Sequence, residues 1–405
     1  MTRKPPALQE LLRAADEFAG RFQIARRWAE LDSRPEFPRP EYRGLAESGL
    51  LGLRISRDLG GAGLGMADAA RVLHRLAYLG GTTFAKLALQ PEFCSVLAEA
   101  GSPALRARYF VPLMRGEALI GNQITEPGAG SDVGAMAARA ERVDGGYRLS
   151  GTKSEAAFAV DADAAIVYAR VDGAGSTELT ALLVPQDQEG IKRTAISDLG
   201  ERWMRRGTII YDRVFVPLDH RIGAEGRALE HLKDELVRER ALLASIYLGV
   251  ARSSWEETVR YAGTRVTFGR PLADHEAIGF PLAEDSVRLR AAELYVEEVL
   301  AGLDREPVPR AGAAALAKWL AVATALPILD HAIQFHGGAG YSKALPHEQR
   351  WRDVRSGGLA HGTSEIMLRA AARELWPRAA AKEPSARGVA HGRKVKAEPR
   401  RRTSG

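Results

Sequence analysis

The sequence predicts an α+β protein of several domains, with a helical N-terminal domain, a middle antiparallel β-domain and a C-terminal four-helix bundle. The length of 405 residues suits two or three domains. Apolar residues recur at three- and four-residue spacing up to about residue 115 and again from about residue 225, which predicts amphipathic helices. Short runs rich in β-branched residues lie between these regions and predict strands. We expect domains at 1–117, 118–223 and 224–380, and a disordered basic tail at 381–405.

The two helical regions differ in the length of their segments. The N-terminal segments are LQELLRAADEFAGRFQIARRWAELD, MADAARVLHRLAYLG and PEFCSVLAEAG, with glycine or proline between them. The C-terminal segments are longer and begin at ALEHLKDELVRER, IGFPLAEDSVRLR, RAGAAALAKWLAV and TSEIMLRAAAREL. Four such helices at the end of a chain favour an antiparallel bundle, and Pro327 can kink the third.

The middle region has short apolar runs in place of long amphipathic segments. Its runs are GGYRLSGTK, AAIVYARV, LTALLVPQ and TIIYDRVFVP, and Asp-Gly and Gly-Ser turns separate them. This pattern indicates an antiparallel β-domain rather than repeated βαβ units.

The basic charge of the chain is concentrated in the tail. From residue 382 onward there are eight basic and two acidic side chains, which equals the net charge of +6 of the whole chain. A solubilising end is the interpretation we adopt. An arm for nucleic acid or a membrane surface is the alternative.

The amino-acid composition indicates the expected cellular location and argues against disulfides and metal sites. Cys94 is the only cysteine, so we expect no disulfide and no thiolate metal site, and we predict no metal. The N-terminus lacks the apolar segment of a secretory signal, and no run of 18 apolar residues occurs. We therefore expect a soluble cytoplasmic protein.

Five motifs occur in order on this α-β-α background. They are QITEPGAGSD (123–132), GTK (151–153), RVTFGRPL (265–272), QFHGGAGY (334–341) and GTSEIM (362–367). With them, residues 8–378 resemble the acyl-CoA dehydrogenase family of flavoproteins. The resemblance implies FAD as cofactor, an acyl thioester as substrate and a homodimer or homotetramer in which subunits share the FAD site.

Within TEPGAGSD, Gly128 and Gly130 let the backbone approach a planar ligand, and Thr125 and Ser131 supply hydroxyls. The resemblance implies that Thr125 binds the pyrimidine side of the flavin and that Ser131 lies by the thioester. Taken alone, the segment also fits a Pro-Gly turn. Ile124 is a further expected cofactor contact.

The adenine end of FAD is expected at two other motifs. Arg265 and Phe268, three residues apart, can share a helix face and meet a phosphate and a ring. The resemblance assigns them to the FAD of the neighbouring subunit, and it assigns Gln334 and Gly338 to the adenine end. A solvated arginine with a core phenylalanine, and a helix C-cap at the glycines, are the alternatives.

The start of the last helix is expected to touch FAD through Thr363 and Glu365. Thr363 or Ser364 can also be a helix N-cap, and both readings can hold together.

The reaction implied is α,β-desaturation of an acyl thioester, which needs a base for a weakly acidic α-proton. Many members carry a glutamate directly before the GT of GTSE, where this chain has His361. In the branch that includes the isovaleryl and long-chain enzymes, the base is the glutamate of a Glu-Arg pair on the first long helix of the bundle. An apolar run follows that pair. VRERALLAS matches that pattern with Glu239 and Arg240.

We predict Glu239 as the base, with His361 as the alternative base or a pocket wall. Arg240 and His361, with Ser131, are the expected substrate contacts. A solvated glutamate in a charge-rich helix is the plain alternative for Glu239. Its i−4 neighbour Glu235 has the same charge, which disfavours a role in surface stabilisation.

The chain departs from the family after GTK. Glu155 stands where an aromatic residue usually stacks on the flavin, and Ala157, an expected flavin neighbour, replaces a hydroxyl residue. Phe158 compensates only if the strand register slips. Arg205 and Arg206 lie near the expected carrier channel.

These departures leave three functions open. The first is dehydrogenation of an acyl-CoA, or of an acyl group on a carrier protein, with electron-transfer flavoprotein or oxygen as acceptor. The second is a flavin-dependent oxidase or monooxygenase. The third is a degenerate, non-catalytic binding protein. We do not expect a membrane or nucleic acid as a partner.

Overall fold

The structure is a computed structural model that describes residues 8–34, 36–172, 178–305 and 311–376. It contains a helical N-terminal domain, a β-sheet domain and a helical C-terminal domain, which confirms the predicted fold class. The predicted tail at 381–405 lies outside the described residues.

The N-terminal domain is built from short helices around a buried apolar core. They are α1 (Leu8–Arg21), α2 (Ile24–Ser33), α3 (Arg39–Glu47), α4 (Met66–Gly80), α5 (Thr82–Ala88), α6 (Ser95–Ala100), α7 (Pro103–Leu105) and α8 (Val111–Met114). The first segment, which the sequence pattern presents as continuous, is broken because Gln23 adopts a left-handed conformation with φ of 51°. The thiol of Cys94 is free and buried.

The middle domain is one sheet with eight strands in the described residues. They are β1 (Ile120–Gln123), β2 (Arg139–Val143), β3 (Gly146–Ala156), β4 (Ala164–Val171), β5 (Thr180–Pro185), β6 (Ile191–Ala195), β7 (Gly207–Pro217) and β8 (Arg221–Ile222). Their order is β6-β7-β3-β2-β4-β5-β8, with β1 also beside β4. Most pairs are antiparallel, as predicted, but β1 and β2 both run parallel to β4.

Strand β4 shows how the sheet joins the helices. Ile166 and Tyr168 belong to the large core shared with the helical domains, whereas Ala165 and Val167 belong to a second core inside the β-domain. Because successive side chains of a strand point to opposite faces, β4 is buried on both sides. The run AAIVYARV is apolar for this reason.

The C-terminal domain contains the four predicted long helices and smaller elements between them. They are α9 (Ala228–Thr264), β9 (Val266–Thr267), β10 (Arg270–Pro271), α10 (Glu276–Arg305), α11 (Ala311–Phe335), α12 (Gly338–Tyr341), α13 (His347–Arg355) and α14 (Ser364–Leu375). Helix α11 is long and apolar enough to cross a membrane by length and composition alone. It packs against α9, α10 and α14, which is the setting of a core helix.

Candidate active site

Helix α9 carries the predicted base into the interior. Its first turns are rich in charge, but every residue from Ala241 to Ala251 is buried. Glu235 and Glu239 lie four residues apart and therefore share one face. That face is already covered at this point, since the two residues are only 1% and 3% exposed. Glu239 is therefore not a solvated surface glutamate.

Burial dominates the electrostatics of this carboxyl pair. Burial raises the pKa of Glu239 to about 8, and the adjacent Glu235 carboxyl partly opposes the rise. Burial and the adjacent Glu239 raise the pKa of Glu235 well above its ordinary value. Glu235 also accepts a hydrogen bond of 3.1 Å from Nδ2 of Asn122. The Oε1 atom of Glu239 is buried and has no hydrogen-bond partner among the described residues, so it is free to take a proton.

His361 lies directly beside the base. Its Nε2 is 3.5 Å from Oε2 of Glu239, and its ring stacks on Phe93 with 5.3 Å between centroids. Burial, aided by the positive charge of Lys318, lowers the pKa of His361 well below its ordinary value. The ring is therefore neutral, and the contact with Glu239 is a polar contact rather than an ion pair.

Two basic side chains hold the loop that contains His361, although burial lowers the pKa of one of them, Lys318, to about 7. Nε of Arg240 donates to the carbonyl oxygen of His361 at 3.0 Å. Nζ of Lys318 donates to the carbonyl oxygens of Ala360 and Gly362, the latter at 2.6 Å. His361 has φ of 55°, a strained conformation for a non-glycine residue that these bonds help to hold. Three successive carbonyls thus point to these two side chains, and Arg240 acts on the site through this loop.

A cavity of about 330 Å³ opens beside the base. Helix α9 contributes Glu239 and Leu242 to its wall, and the N-terminal domain contributes Arg54, Glu92 and Ser95. The base therefore faces a space large enough for a small ligand.

The segment QITEPGAGSD forms a tight turn at the end of β1. Glu126 and Ala129 exchange two backbone hydrogen bonds, at 3.2 and 3.0 Å. The turn is tied to β3, because the N–H of Ser154 donates to the carbonyl of Thr125 at 3.0 Å. Ile124 and Thr125 are half-buried and Ser131 is exposed, so the turn leaves these side chains at least partly accessible.

The departures after GTK take up a distinct local structure. The β3–β7 register shifts between Lys153 and Ala156, and Glu155 has φ of 55°. Glu155 pairs with Arg206 at 3.1 Å, and half-buried Ala157 follows it. Phe158 is buried and makes ring contacts with neighbouring core aromatics, so it packs in the core.

Arg205 and Arg206 are not free cations. Arg205 pairs with Asp161 at 3.3 Å, and Arg206 also pairs with Asp198. Their charges are compensated within the protein, which weakens the case that they recruit an acidic carrier protein.

The expectation that Arg265 and Phe268 share a helix face is wrong. Helix α9 ends at Thr264, and Arg265 is the first residue beyond it, with an extended backbone. Strands β9 and β10 then form a hairpin whose two central residues, Phe268 and Gly269, have φ of 51° and 79°. Positive φ at both positions is typical of a type I′ turn, which explains the strand pairing here. Arg265 is exposed and Phe268 is 97% exposed, so the alternative of a core phenylalanine is also excluded.

The remaining predicted contacts lie at two helix ends. Helix α11 ends at Phe335, and the N–H of Gly337 donates to the carbonyl of Gln334 at 3.1 Å. Gln334 and Gly338 are exposed. The Thr363 hydroxyl caps α14 by accepting from the N–H of Ile366 at 3.3 Å, as the N-cap interpretation predicts, and Glu365 is exposed in the first turn.

These surfaces fit FAD in their chemistry. An added Cβ would meet no atom within 4 Å at Gly128, Gly130, Gly337 or Gly338, so the backbone is open to a ligand at both motifs. The fully exposed ring of Phe268 can stack on an aromatic base. Arginine and backbone N–H groups suit a pyrophosphate.

Several residues that shape the site were not predicted from the sequence. Lys318 is a lone lysine in the apolar run AGAAALAKWLAVATALP, and Arg54 is a lone arginine in GLLGLRI. A single charge in an apolar run is the signal that marks both. Lys86, in TTFAKLALQ, and Glu92, in PEFCSVLA, are single charges in apolar stretches too, so the same signal marks them.

Family models cover nearly the whole described chain. The acyl-CoA dehydrogenase N-terminal, middle and C-terminal domains match residues 5–117, 121–214 and 229–376. Benzylmalonyl-CoA dehydrogenase of Aromatoleum aromaticum is 34% identical, over 90% of this chain and 97% of that protein. The caffeyl-CoA reductase-Etf complex subunit CarC of Acetobacterium woodii is 29% identical, over 83% of this chain and 89% of that protein.

A solved structure agrees with this assignment. Butyryl-CoA dehydrogenase from Megasphaera elsdenii superimposes with a TM-score of 0.84 at 26% identity, over 93% of this chain and 100% of that chain. The chain therefore belongs to the acyl-CoA dehydrogenase family and is an FAD-dependent oxidoreductase that acts on CH–CH bonds.

Proposed function

We propose that this chain dehydrogenates an acyl-CoA thioester between its α- and β-carbons, with Glu239 as the base that removes the α-proton. The observation that carries this proposal is the buried carboxyl of Glu239, whose Oε1 is unpaired and which lines a cavity of about 330 Å³. A carboxylate without solvent is a stronger base than one in water, which a weakly acidic α-proton requires.

The proton and electrons balance in one turnover. The α-proton passes to the Glu239 carboxylate, and the electron pair of that C–H bond becomes the new double bond. When bound, FAD supplies the acceptor for the hydride that leaves the β-carbon. We propose an electron-transfer flavoprotein as the next acceptor, supported by the name of the Acetobacterium relative. The cytoplasm is the proposed location.

The loop that contains His361 supports the thioester side of this reaction. Arg240 and Lys318 bind the carbonyl oxygens of residues 360–362, so these oxygens do not face the substrate. The N–H of His361 can then polarise the thioester carbonyl, a role that does not depend on its side chain. The neutral ring of His361 is assigned as a pocket wall against Glu239.

Coenzyme A is favoured over a carrier protein because Arg205 and Arg206 are both paired internally. The second candidate function is an oxidase or monooxygenase, favoured by Glu155 and Ala157 in place of a ring and a hydroxyl. Rapid reoxidation of the reduced protein by oxygen, with peroxide or a hydroxylated product, distinguishes it. The degenerate binding protein is disfavoured by the intact environment of Glu239.

The test is reduction of the flavin without oxygen. We expect the purified protein to be yellow and a matching acyl-CoA to bleach it. Glu239→Gln should keep the colour and lose bleaching by on the order of 10²- to 10⁴-fold, the usual contribution of a general base. His361→Ala should still bleach. Exposed Glu230 on the same helix is the matched control, and Glu230→Gln should behave as the unmodified protein.

The proposal fails if Glu239→Gln bleaches normally. It also fails if His361→Ala alone abolishes the reaction while FAD stays bound.

A further inference from the structure

The cavity beside Glu239 has a charged wall on the side of the N-terminal domain. Arg54 enters it from the loop after α3, and Glu92 enters it from the turn before α6. A volume of about 330 Å³ lies at the small end of ligand pockets, which favours a short acyl group.

Arg54 makes no ion pair with another described residue, and Glu92 is the acid that acts most on its pKa. Leu53 and Ile55 on either side of it are buried, and Nε of Arg54 is buried without a hydrogen-bond partner among the described residues. The other two arginines of the cavity are engaged: Arg238 pairs with Glu99 at 3.2 Å, and Arg106 donates to a backbone carbonyl.

A guanidinium in this position is costly unless an anion meets it. Arginine remains charged in proteins, and a buried charge without a partner is strongly destabilising. Burial lowers the pKa of Arg54, which reports the same cost. A purely hydrocarbon acyl chain would add to that cost by displacing the remaining water.

Glu92 supplies a second polar atom next to Arg54. Its Oε1 accepts from the backbone N–H of Arg54 at 2.9 Å, whereas its Oε2 is buried without a partner in the described part of the chain. Burial raises the pKa of Glu92 to about 7. Below that pH its carboxyl is protonated and can donate a hydrogen bond.

We propose that Arg54 and Glu92 form a carboxylate-binding subsite in the acyl pocket, so that the substrate is a short acyl-CoA whose acyl group carries a second, free carboxylate. Arg54 pairs with that carboxylate, and Glu92 donates to it. Two other acids of the cavity wall do not pair with Arg54, since Asp58 is exposed and Glu99 is paired with Arg238. This subsite deepens the proposed function and rests on it for the fate of the bound thioester.

The test compares acyl-CoA thioesters of equal chain length with FAD-loaded protein. Glutaryl-CoA has the second carboxylate, its monomethyl ester masks it, and pentanoyl-CoA lacks it. Coenzyme A is common to the three, so contacts to its phosphates cancel. We expect kcat/KM for flavin reduction to be roughly 10- to 100-fold higher for glutaryl-CoA, as for the loss of one charged hydrogen-bonding partner.

Variants separate recognition from folding. Arg54→Gln should remove the preference for glutaryl-CoA over pentanoyl-CoA, and Arg54→Lys should keep part of that preference. Arg57, three residues away and outside the cavity wall, is the matched control. Arg57→Gln should keep the full preference.

A binding measurement makes the result independent of turnover. Calorimetry with Glu239→Gln protein should show tighter binding of glutaryl-CoA than of pentanoyl-CoA, and a second change, Arg54→Gln, should equalise them. Equal binding of the two thioesters, or an equal loss for both on Arg54→Gln, overturns the subsite. If the calorimetric preference holds but no thioester reduces the flavin, the proposed reaction fails and the subsite stands.

Discussion

Glu239 and Glu235 place two carboxyls one helical turn apart in a setting from which water is largely excluded. At pH 7 the raised pKa of each favours the protonated form, which cannot accept a proton from a substrate. At neutral pH the substrate therefore binds to a protein in which the Glu239 carboxyl is only partly ionised. The surroundings tune this balance: Arg238 and Arg240 lower the pKa of Glu239, and Glu92 raises it.

The pH dependence of flavin reduction follows from this pKa. Because the deprotonated form of Glu239 is the active one, kcat/KM should rise about tenfold per pH unit below a midpoint near 8 and level off above it. The measurement is anaerobic flavin reduction at low substrate concentration across pH. A midpoint near 4.5, the ordinary value for glutamate, would contradict a buried base.

Substitutions of Glu235 test how this residue affects the raised pKa of Glu239. Glu235→Leu removes the carboxyl that opposes the rise, so the midpoint should move to higher pH. Glu235→Gln retains a donor and should leave the midpoint near that of the unmodified protein. A merely structural role of Glu235 would change stability in both variants without moving the midpoint.

The sequence could locate these residues but not describe their setting. The Glu-Arg pair before an apolar run identified Glu239, and the structure confirms that it is buried. DELVRER gives no sign that Glu235 is buried as well, because that burial depends on the β-domain and N-terminal domain that cover α9. The neutral state of His361 likewise depends on residues distant in sequence, such as Lys318.

At the scale of elements, one carboxylate joins the three domains. Glu201, in the loop before β7, pairs with Lys86 of α5, and both side chains are buried. Ser356, after α13, donates to the other oxygen of Glu201 at 2.7 Å. Burial lowers the pKa of Lys86, but the Glu201 carboxylate more than offsets this effect, so the net pKa is raised and Lys86 stays charged.

Removing Lys86 should therefore destabilise the protein. Lys86→Met leaves Glu201 as an uncompensated buried charge, which costs about 3–5 kcal/mol. The double variant Lys86→Met, Glu201→Gln should recover most of this loss. Thermal unfolding with FAD in excess measures both. Arg71 pairs with Asp68 at the exposed surface, so Arg71→Met is the control and should cost less than about 1 kcal/mol. If Lys86→Met lost no more stability than Arg71→Met, the assignment of Lys86 as the counter-charge of buried Glu201 would be refuted.

Helices that depend on local apolar spacing were predicted from the sequence better than turns that depend on the conformation of single residues. Long amphipathic helices such as α9 were predicted because their apolar spacing is a local property. The break at Gln23 and the hairpin after Thr264 were missed, since each depends on residues with positive φ: Gln23 in the first case, and Phe268 and Gly269 in the hairpin turn. Gly269 marks the hairpin in retrospect, but Phe268 beside it carries no sequence signal for that conformation.

At the scale of the whole molecule, the β9–β10 hairpin presents exposed side chains at the surface. The ring of Phe268 at its tip is 97% exposed, and Arg265 at its base is exposed as well. A large aromatic ring in water, next to a cation that suits a pyrophosphate, favours a contact outside the chain. The resemblance assigns that contact to the FAD of a neighbouring subunit, and the structure leaves both residues free to make it.

A mixing experiment can show whether the site is shared. Subunits with Glu239→Gln lack the base but keep the hairpin, whereas subunits with Arg265→Ala and Phe268→Ala keep the base and lack the hairpin contacts. Each protein alone should be inactive, the second because it retains FAD poorly. In a mixed dimer, the hairpin of the first subunit serves the intact base of the second, so about one site per mixed dimer should regain activity. Co-expression with two affinity tags isolates that dimer for flavin content and anaerobic reduction. If the hairpin instead served its own subunit, every site of the mixed dimer would lack either the base or the hairpin, and no activity would return.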